Sequence, residues 1–530
     1  MSLIRAARSS LVRCPLNSWA RSPRVLRRHQ SNNRLPIRWR PDTPNSLITD
    51  SLMQNTVNGL NIYVRLVKYT IMGLLGASLI AWTAFEGGHI YVESVELAPE
   101  SDEEVKRWEW DQEAEKWSGG DAGGTDPALG IKGTHAVRSA WMAQNWGIGS
   151  GSSVIGSNAF SGQGPSGAGG LNVVEGRLEF AQDYLSIALS IAEDRKSSGK
   201  LHPQTIERLL IRHAALLERI GSHASWFEAR SQLERVWDSL SAQDTGAARI
   251  ALKLGNLNHR LGDAEDAVAW WARAIQLMQV TKEEEADKFM PAVPESAPTS
   301  PLAQRTLIST LVSLSAFYAT SGQLKQARAV EEASLDLLRS IKPPNSLQSA
   351  SAPQELHTLY LLHRSSLLSI HLAEILFALG SPTSASLQRL SSAAESSEHV
   401  ALALTGLPRI HPDAPSSNIP HPPSSEAPLL KVFTKSKSLK TPATSLLRDA
   451  RRTAAEAWNL MGILHEDMEG SKPEKALQCY ERALGWAGVS GDRPGGIADP
   501  GEGISEAEWK VFWANYVRAR DAVRKGQAKP

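Results

Sequence analysis

Seventeen consecutive residues, Tyr69 to Phe85 (YTIMGLLGASLIAWTAF), carry no charge. As a helix they reach roughly 25 Å at about 1.5 Å per residue, near the lower limit for a bilayer core. Their apolar character runs all the way round, which leaves two environments for such a helix: lipid, or the centre of a folded domain. The flanks favour lipid. Arg65 and Lys68 stand before the stretch, whereas Glu86, Glu93, Glu96 and Glu100 follow it. By the positive-inside rule, that asymmetry retains the N-terminal side and sends the C-terminal bulk across the membrane. Gly73/Ala77 and Ala77/Ala81 are small-xxx-small spacings that suit contact with a second helix. The expectation is one transmembrane helix over residues 69–85.

The first 41 residues narrow the choice of membrane. They hold ten arginines and neither lysine nor acid, and Asp42 is the first carboxylate. In MSLIRAARSSLVR, Leu3, Ile4, Ala7 and Leu11 share one side of a helix, and Arg5, Arg8 and Arg13 surround the other. An Arg-rich, acid-poor amphipathic start is the pattern of a mitochondrial presequence. A basic arm for nucleic acid would draw on lysine as well. Arg28, three residues before Ser31, delimits the presequence at residues 1–30. A presequence followed by one span implies the mitochondrial inner membrane. Residues 31–68 would then face the matrix, and the C-terminal domain would lie in the intermembrane space.

Residues 86–146 read as an acidic juxtamembrane and connector segment. The acidic part ends in Trp108, Trp110 and Trp117. Such a stretch holds off anionic headgroups, docks a basic partner, or runs as a solvated helix with aromatic staples. Asp121–Trp146 is rich in Gly, Trp and His and reads as a structured connector, packed on later helices or on a partner. Its glycines lack the Gly-Lys-Ser/Thr and preceding strand of a phosphate loop, and His89 and His135 have no second ligand at metal spacing. Residues 147–171 are a flexible Gly/Ser linker.

Beyond the linker, helices alternate with short Gly- or Ser-marked turns, and β-branched runs are scarce. One unit stands out at Ala248–Leu277, ARIALKLGNLNHRLGDAEDAVAWWARAIQL. In it Gly255 and Ala267 are small enough for two antiparallel helices to approach, Gly262 turns the chain, and Trp271 with Ala274 closes the contact to the next helix. Ala455–Leu484 repeats the pattern through Trp458, Met461, Gly462, His465, Ala476, Tyr480 and Ala483, with about two extra residues around Gly470–Pro473. Weaker copies run through Leu314, Tyr318, Gly322 and Ala327, and through Leu372, Leu376, Gly380 and Ala385; residues 203–240 add a looser pair. These positions, with Leu254 and Asn258, resemble the tetratricopeptide family. The expected fold class is all-α, a tetratricopeptide-like solenoid of helical hairpins over residues 172–486, preceded by one transmembrane helix and flexible linkers. Surface loops are expected at 282–301 and at 408–440, the second ending in Lys431, Lys435, Lys437 and Lys440. A capping helix over 504–526 opens on the capping box Ser505/Glu508 and carries Trp509, Phe512, Trp513 and Tyr516 to cover the last repeat.

The sequence gives little purchase for catalysis. His465-Glu466 lacks the second histidine of a zincin, since residue 469 is Glu. No Gly-x-Ser-x-Gly elbow occurs, and Cys479 has no evident base. Two cysteines, Cys14 and Cys479, make neither a disulfide framework nor a Cys-rich zinc site. Basic residues are dispersed, with 57 Lys and Arg against 56 Asp and Glu, which disfavours nucleic acid. No enzyme, cofactor or metal is therefore expected.

What remains is binding along the first helices of the hairpins. The groove candidates are Arg249, Leu252, Asn256, His259 and Arg260 in one repeat, and Glu456, Asn459, Ile463, Glu466 and Asp467 in the other. Such a groove, basic in the middle and acidic towards its C-terminal end, suits an extended peptide of mixed charge. The other reading of these polar residues is that they keep exposed helices soluble.

The whole layout, with HIYVESVELAPE after the span, is similar to the fungal inner-membrane tetratricopeptide adaptors of the mitochondrial i-AAA protease. That resemblance implies a non-catalytic adaptor that captures unfolded or membrane-anchored proteins and delivers them to the protease for quality-control degradation. The alternative with the same anchor is an import or assembly factor scaffolding another inner-membrane complex.

Overall fold

The computed structural model describes residues 46–147, 153–155, 173–240, 245–279, 292–342, 350–407, 428–468, 473–488 and 504–527. The expected presequence, most of the Gly/Ser linker and the turn around Gly470 lie outside the described residues. The chain divides into two compact units, Met1–Trp82 and Thr83–Pro530.

Helix α1, Ser46–Tyr91, begins in the first unit and is much longer than the apolar stretch inside it. No proline interrupts residues 46–68, so helix propensity carries the element through the polar run before the span. Leu74, Leu75, Leu79 and Ile80 are each more than 60% exposed. Among the described residues, this is the one helix long and apolar enough to cross a membrane.

The second unit takes up Thr83–Tyr91, then a π-helical turn, Val92–Glu96, and two short helices, α2 (Glu103–Arg107) and α3 (Trp110–Glu113). Antiparallel helix pairs follow: α4 (Gly130–Trp146) with α5 (Gly176–Lys196), α6 (Thr205–Ile220) with α7 (His223–Ser239), α8 (Thr245–Leu261) with α9 (Ala264–Met278), α10 (Pro301–Thr320) with α11 (Leu324–Ser340), and α12 (Ala352–Ala378) with α13 (Thr383–Thr405). A short α14 (Lys431–Thr434) precedes the last pair, α15 (Lys437–Asp467) with α16 (Pro473–Trp486), and α17 (Glu506–Gln527) closes the array. Each pair packs on the next, which makes a solenoid of helical hairpins. A two-stranded exception is the antiparallel ribbon of β1 (Ser153–Ile155) and β2 (Val173–Glu175), with Val154 opposite Val174.

Two expected boundaries move. The array starts at Gly130, not residue 172, because α4 buries Val137, Ala140 and Ala143 in one core with Leu185, Ala188 and Ala192 of α5. The expected loop 408–440 is helical from Lys431. Phe433 and Leu439, 0% and 2% exposed, pin that part into the core, so Lys431, Lys437 and Lys440 decorate helices and Lys435 the bend between them. Residues 292–300 are irregular, and Ser300 caps α10 by accepting from the Ala303 amide.

The repeat is visible as recurring geometry. Gly262, Gly322 and Gly380 all take positive φ, between 72° and 92°. At each, the following amide reaches back five residues: Asp263 to Asn258, Gln323 to Tyr318 and Ser381 to Leu376, at 2.8–2.9 Å. This is a Schellman close, which needs a residue without Cβ strain at the turn. Within two hairpins, an aromatic ring lies flat on a glycine. A Cβ on Gly255 would stand 2.5 Å from Trp271, and one on Gly462 2.5 Å from Tyr480. Trp271 thus closes its own hairpin, while Ala267 and Ala476 are buried beside these contacts. Gly462→Ala is expected to destabilise the last hairpin by about 1–2 kcal/mol, overpacking outweighing the gain in helix propensity. A thermal midpoint unchanged or raised by circular dichroism would contradict this packing. The α10–α11 hairpin breaks the pattern: its equivalent residues are Ser315 and Glu331, both 0% exposed.

Candidate polypeptide-binding site

The first helices α6, α8, α10, α12 and α15 are bridged by the chain's own acidic segment. Residues 100–118, expected to hold off headgroups or run as a solvated helix, instead lie across them as a strap. Glu100 accepts from Ser436 Oγ at 2.5 Å, and Ser351 Oγ donates to Glu104 at 3.3 Å. The Glu109 carboxylate accepts from Ser300 Oγ at 2.5 Å and from the Leu302 amide at 2.8 Å, covering the start of α10. At the far end, Thr205 Oγ1 donates to the Ser118 carbonyl at 3.1 Å and to Asp126 at 2.7 Å.

Three arginines hold the middle of the strap. Arg305, 2% exposed, places Nε 2.5 Å from Glu113 Oε1 and donates from its terminal nitrogens to the Trp108 and Glu109 carbonyls at 3.1–3.2 Å. Its guanidinium stacks 3.9 Å from the centroid of Trp110. Arg249 donates to the Gln112 carbonyl at 2.5 Å, and burial lowers its pKa from the ordinary guanidinium value. Arg212 pairs with Glu115 at 2.6 Å and lies over Trp117. Arg305 also orders His357. A guanidinium cannot accept, so His357 Nδ1, 3.1 Å away, is the acceptor, and Nε2–H donates to Gln304 Oε1 at 3.0 Å. Burial, then the arginine's charge, pushes the His357 pKa down to about 3, which keeps the ring neutral.

Trp110 is the anchor. It is fully buried, donates Nε1–H to the Pro353 carbonyl at 2.9 Å, and shares a core with Val105, Leu356, Leu359, Phe433 and Leu439. Glu109, just before it, is the only non-glycine residue with positive φ among the described residues, at 56°.

The expected groove residues occupy two separate places, α8 and α15. On α8, Arg249 is taken by the strap and so is not open to a bound peptide. Leu252 packs into the core, and Asn256 accepts from Trp271 Nε1 at 3.1 Å. His259 and Arg260 are exposed, His259 against Trp271 and Phe317, Arg260 over Trp226. On α15, Asn459 is buried and accepts from Asn515 at 2.9 Å, and Glu466 pairs with Arg518 at 2.6 Å while staying exposed, so α17 engages both. Glu456, Ile463 and Asp467 stay exposed.

Sequence reading missed Arg212 and Arg305, yet a signal exists. Arg212, Arg249 and Arg305 stand 9, 13 and 17 residues before the turn glycines Gly221, Gly262 and Gly322. The arginine therefore climbs one helical turn per hairpin, the track of a chain crossing obliquely. Also missed was Glu398, which gathers Arg482, Trp458 and Trp486 at 2.6–2.8 Å and ties α13 to the last hairpin.

The other candidates for chemistry are quiet. Cys479 is buried, which pushes its thiol up to about 12, far from a thiolate. His89 and His135 do meet, with ring centroids 4.4 Å apart and Glu86 3.2 Å from His135. Among the described residues, no three His, Cys, Asp or Glu side chains are grouped so as to hold a metal.

Neither a known family profile nor a curated protein matches the chain. A solved structure, BtubC (BKLC) from P. vanneervenii, aligns at 14% identity over 54% of this chain and 97% of its own, with a TM-score of 0.29.

Proposed function

We propose that the chain is a membrane-tethered, non-catalytic scaffold of the tetratricopeptide kind that holds other polypeptides. The observation that supports this is the strap itself. Five successive first helices grip a peptide segment by both main-chain carbonyls and side chains, which is the chemistry of peptide capture. With the span and the Arg-rich N-terminus, the specific reading is an inner-membrane adaptor of the i-AAA protease. Its helical array stands in the intermembrane space and presents unfolded or membrane-anchored proteins to the protease. The filled first-helix face lends weight to one rival, an import or assembly factor that binds through other surfaces. Exposed Phe180, Tyr184 and Ile187, one helical turn apart on α5, offer such a surface.

Purification of the full chain in mild detergent separates the two. The adaptor reading expects an AAA protease among the co-isolated proteins and slower turnover of unfolded inner-membrane proteins when the chain is lost. Translocase or respiratory subunits in its place, with turnover unchanged, would establish the rival. Trypsin added to mitoplasts should digest the C-terminal domain; protection until the inner membrane is opened would reverse the assigned orientation.

A further inference from the structure

The strap has the composition of a ligand. Residues 100–117 hold eight acids, three bases and three tryptophans; Lys106 and Arg107 pair with Glu103 and Glu104 inside the strap, and its middle meets its complement on the first helices. Carboxylates Glu113 and Glu115 meet Arg305 and Arg212, and Trp110 enters the core beneath Arg305. The contacts combine ion pairs with one aromatic anchor, an arrangement typical of a peptide seated in a groove. The strap also carries, at Glu109, the one positive φ outside glycine among the described residues, a backbone conformation that relaxes when the segment leaves. Both ends are fastened by polar contacts, Glu100 on Ser436 and Ser438, and Ser118 on Thr205 and the Asp126 amide.

We propose that residues 100–118 are an intramolecular ligand that closes the first-helix face, and that an acidic, tryptophan-bearing polypeptide displaces them. The occupant follows from charge and shape. An arginine ladder climbing one turn per hairpin selects a chain that presents carboxylates along an oblique track. The pocket between α10, α12 and α15 selects one large aromatic side chain within that track. A basic or purely aliphatic segment meets neither demand. The proposal rests on the reading of this face as peptide-holding and adds the partner's chemistry and an autoinhibited resting state.

The test uses the full chain in detergent micelles and a fluorescent peptide with the sequence of residues 100–118. Glu113→Gln with Glu115→Gln weakens the strap in cis and leaves the arginines intact. This variant should bind the peptide at least tenfold more tightly than the unmodified chain, by anisotropy. Adding Arg305→Ala should abolish the gain, and a scrambled peptide of equal charge should bind at least tenfold more weakly. Equal binding by the variant and unmodified chains, or by the scrambled peptide, overturns the proposal. Hydrogen exchange on the unmodified chain gives a second measurement that depends on no variant. Amides of Val105–Glu113 should open at least 100-fold more often than those of α12; exchange at the α12 rate overturns displacement. If displacement fails while client polypeptides still co-purify with the unmodified chain, the proposal falls and the scaffold reading stands. If neither peptide nor client binds, both fall.

Discussion

Trp110→Ala is expected to lower the stability of the helical array by about 4 kcal/mol, or roughly 10 °C in thermal midpoint for a domain of this size. The magnitude follows from what the indole does. It is 0% exposed, so truncation leaves a cavity among Leu356, Leu359 and Phe433. The change also removes the Nε1–H bond to Pro353 and the ring stacked on Arg305, leaving a buried guanidinium with one fewer partner. Trp110→Phe keeps most of the volume and should lose less than half as much. The damage should be local, because in a stack of hairpins each element supports mainly its neighbours. Hydrogen exchange should therefore accelerate in α10, α12 and α15 while α5 to α7 keep their protection. A loss below about 1 kcal/mol would mean that the indole does not anchor the strap.

That contrast explains what the sequence conveyed and what it withheld. Hairpin geometry was legible because it depends on local rules. A glycine at each Schellman turn and a glycine beneath Trp271 or Tyr480 are set by residues close in sequence. The apolar span was legible for the same reason, since composition alone decides it. The start of the array at α4 was hidden by the intervening Gly/Ser stretch, across which periodicity cannot be followed. The strap was hidden for a deeper reason. Glu113 meets Arg305 across 192 residues, and Arg249 meets Gln112 across 137. No windowed pattern pairs such residues, and acidic composition reads as solvated when its arginine partners are far along the chain. The groove candidates failed on one shared point. Offsets within a repeat identify residues on the first helix, but not which of them another part of the chain has already covered. Arg249 and Asn459 are covered in this way and Glu466 is paired though exposed; His259, Arg260, Glu456, Ile463 and Asp467 are not covered.

Glu331 carries the second large effect, with the opposite sign. It occupies the position at which the neighbouring hairpin places Trp271, and it is 0% exposed. Neither carboxylate oxygen has a well-formed hydrogen bond among the described residues; the nearby Ser315 hydroxyl offsets burial only in part, and His371 Nδ1 is 3.9 Å away. Burial, with the charges of Glu374 and Glu332 adding to it, pushes its pKa up to about 8. Unfolded, the same group loses its proton near 4.5. Between those values the folded chain holds a proton that the unfolded chain has released. Stability contributed by the neutral carboxyl is complete below pH 4.5 and is lost as pH rises to about 8, at roughly 1.4 kcal/mol per unit. Buried His213, His357 and His363, pushed down to about 4, 3 and 3, act in the other direction. They favour folding more as pH climbs through 6.5, the point at which half of the unfolded imidazoles have become neutral. The unmodified chain should thus be most stable near pH 6.5 and weaken on both sides. Glu331→Met fills a similar volume without a charge to bury. It should raise stability by about 3 kcal/mol at pH 7.5, flatten the decline between pH 6.5 and 8, and steepen the rise between pH 4.5 and 6.5, where Glu331 opposes the histidines. Urea unfolding of both chains at pH 5, 6.5 and 8 reads this directly. Parallel pH profiles for the two chains would show that Glu331 ionises in the folded state at its ordinary value.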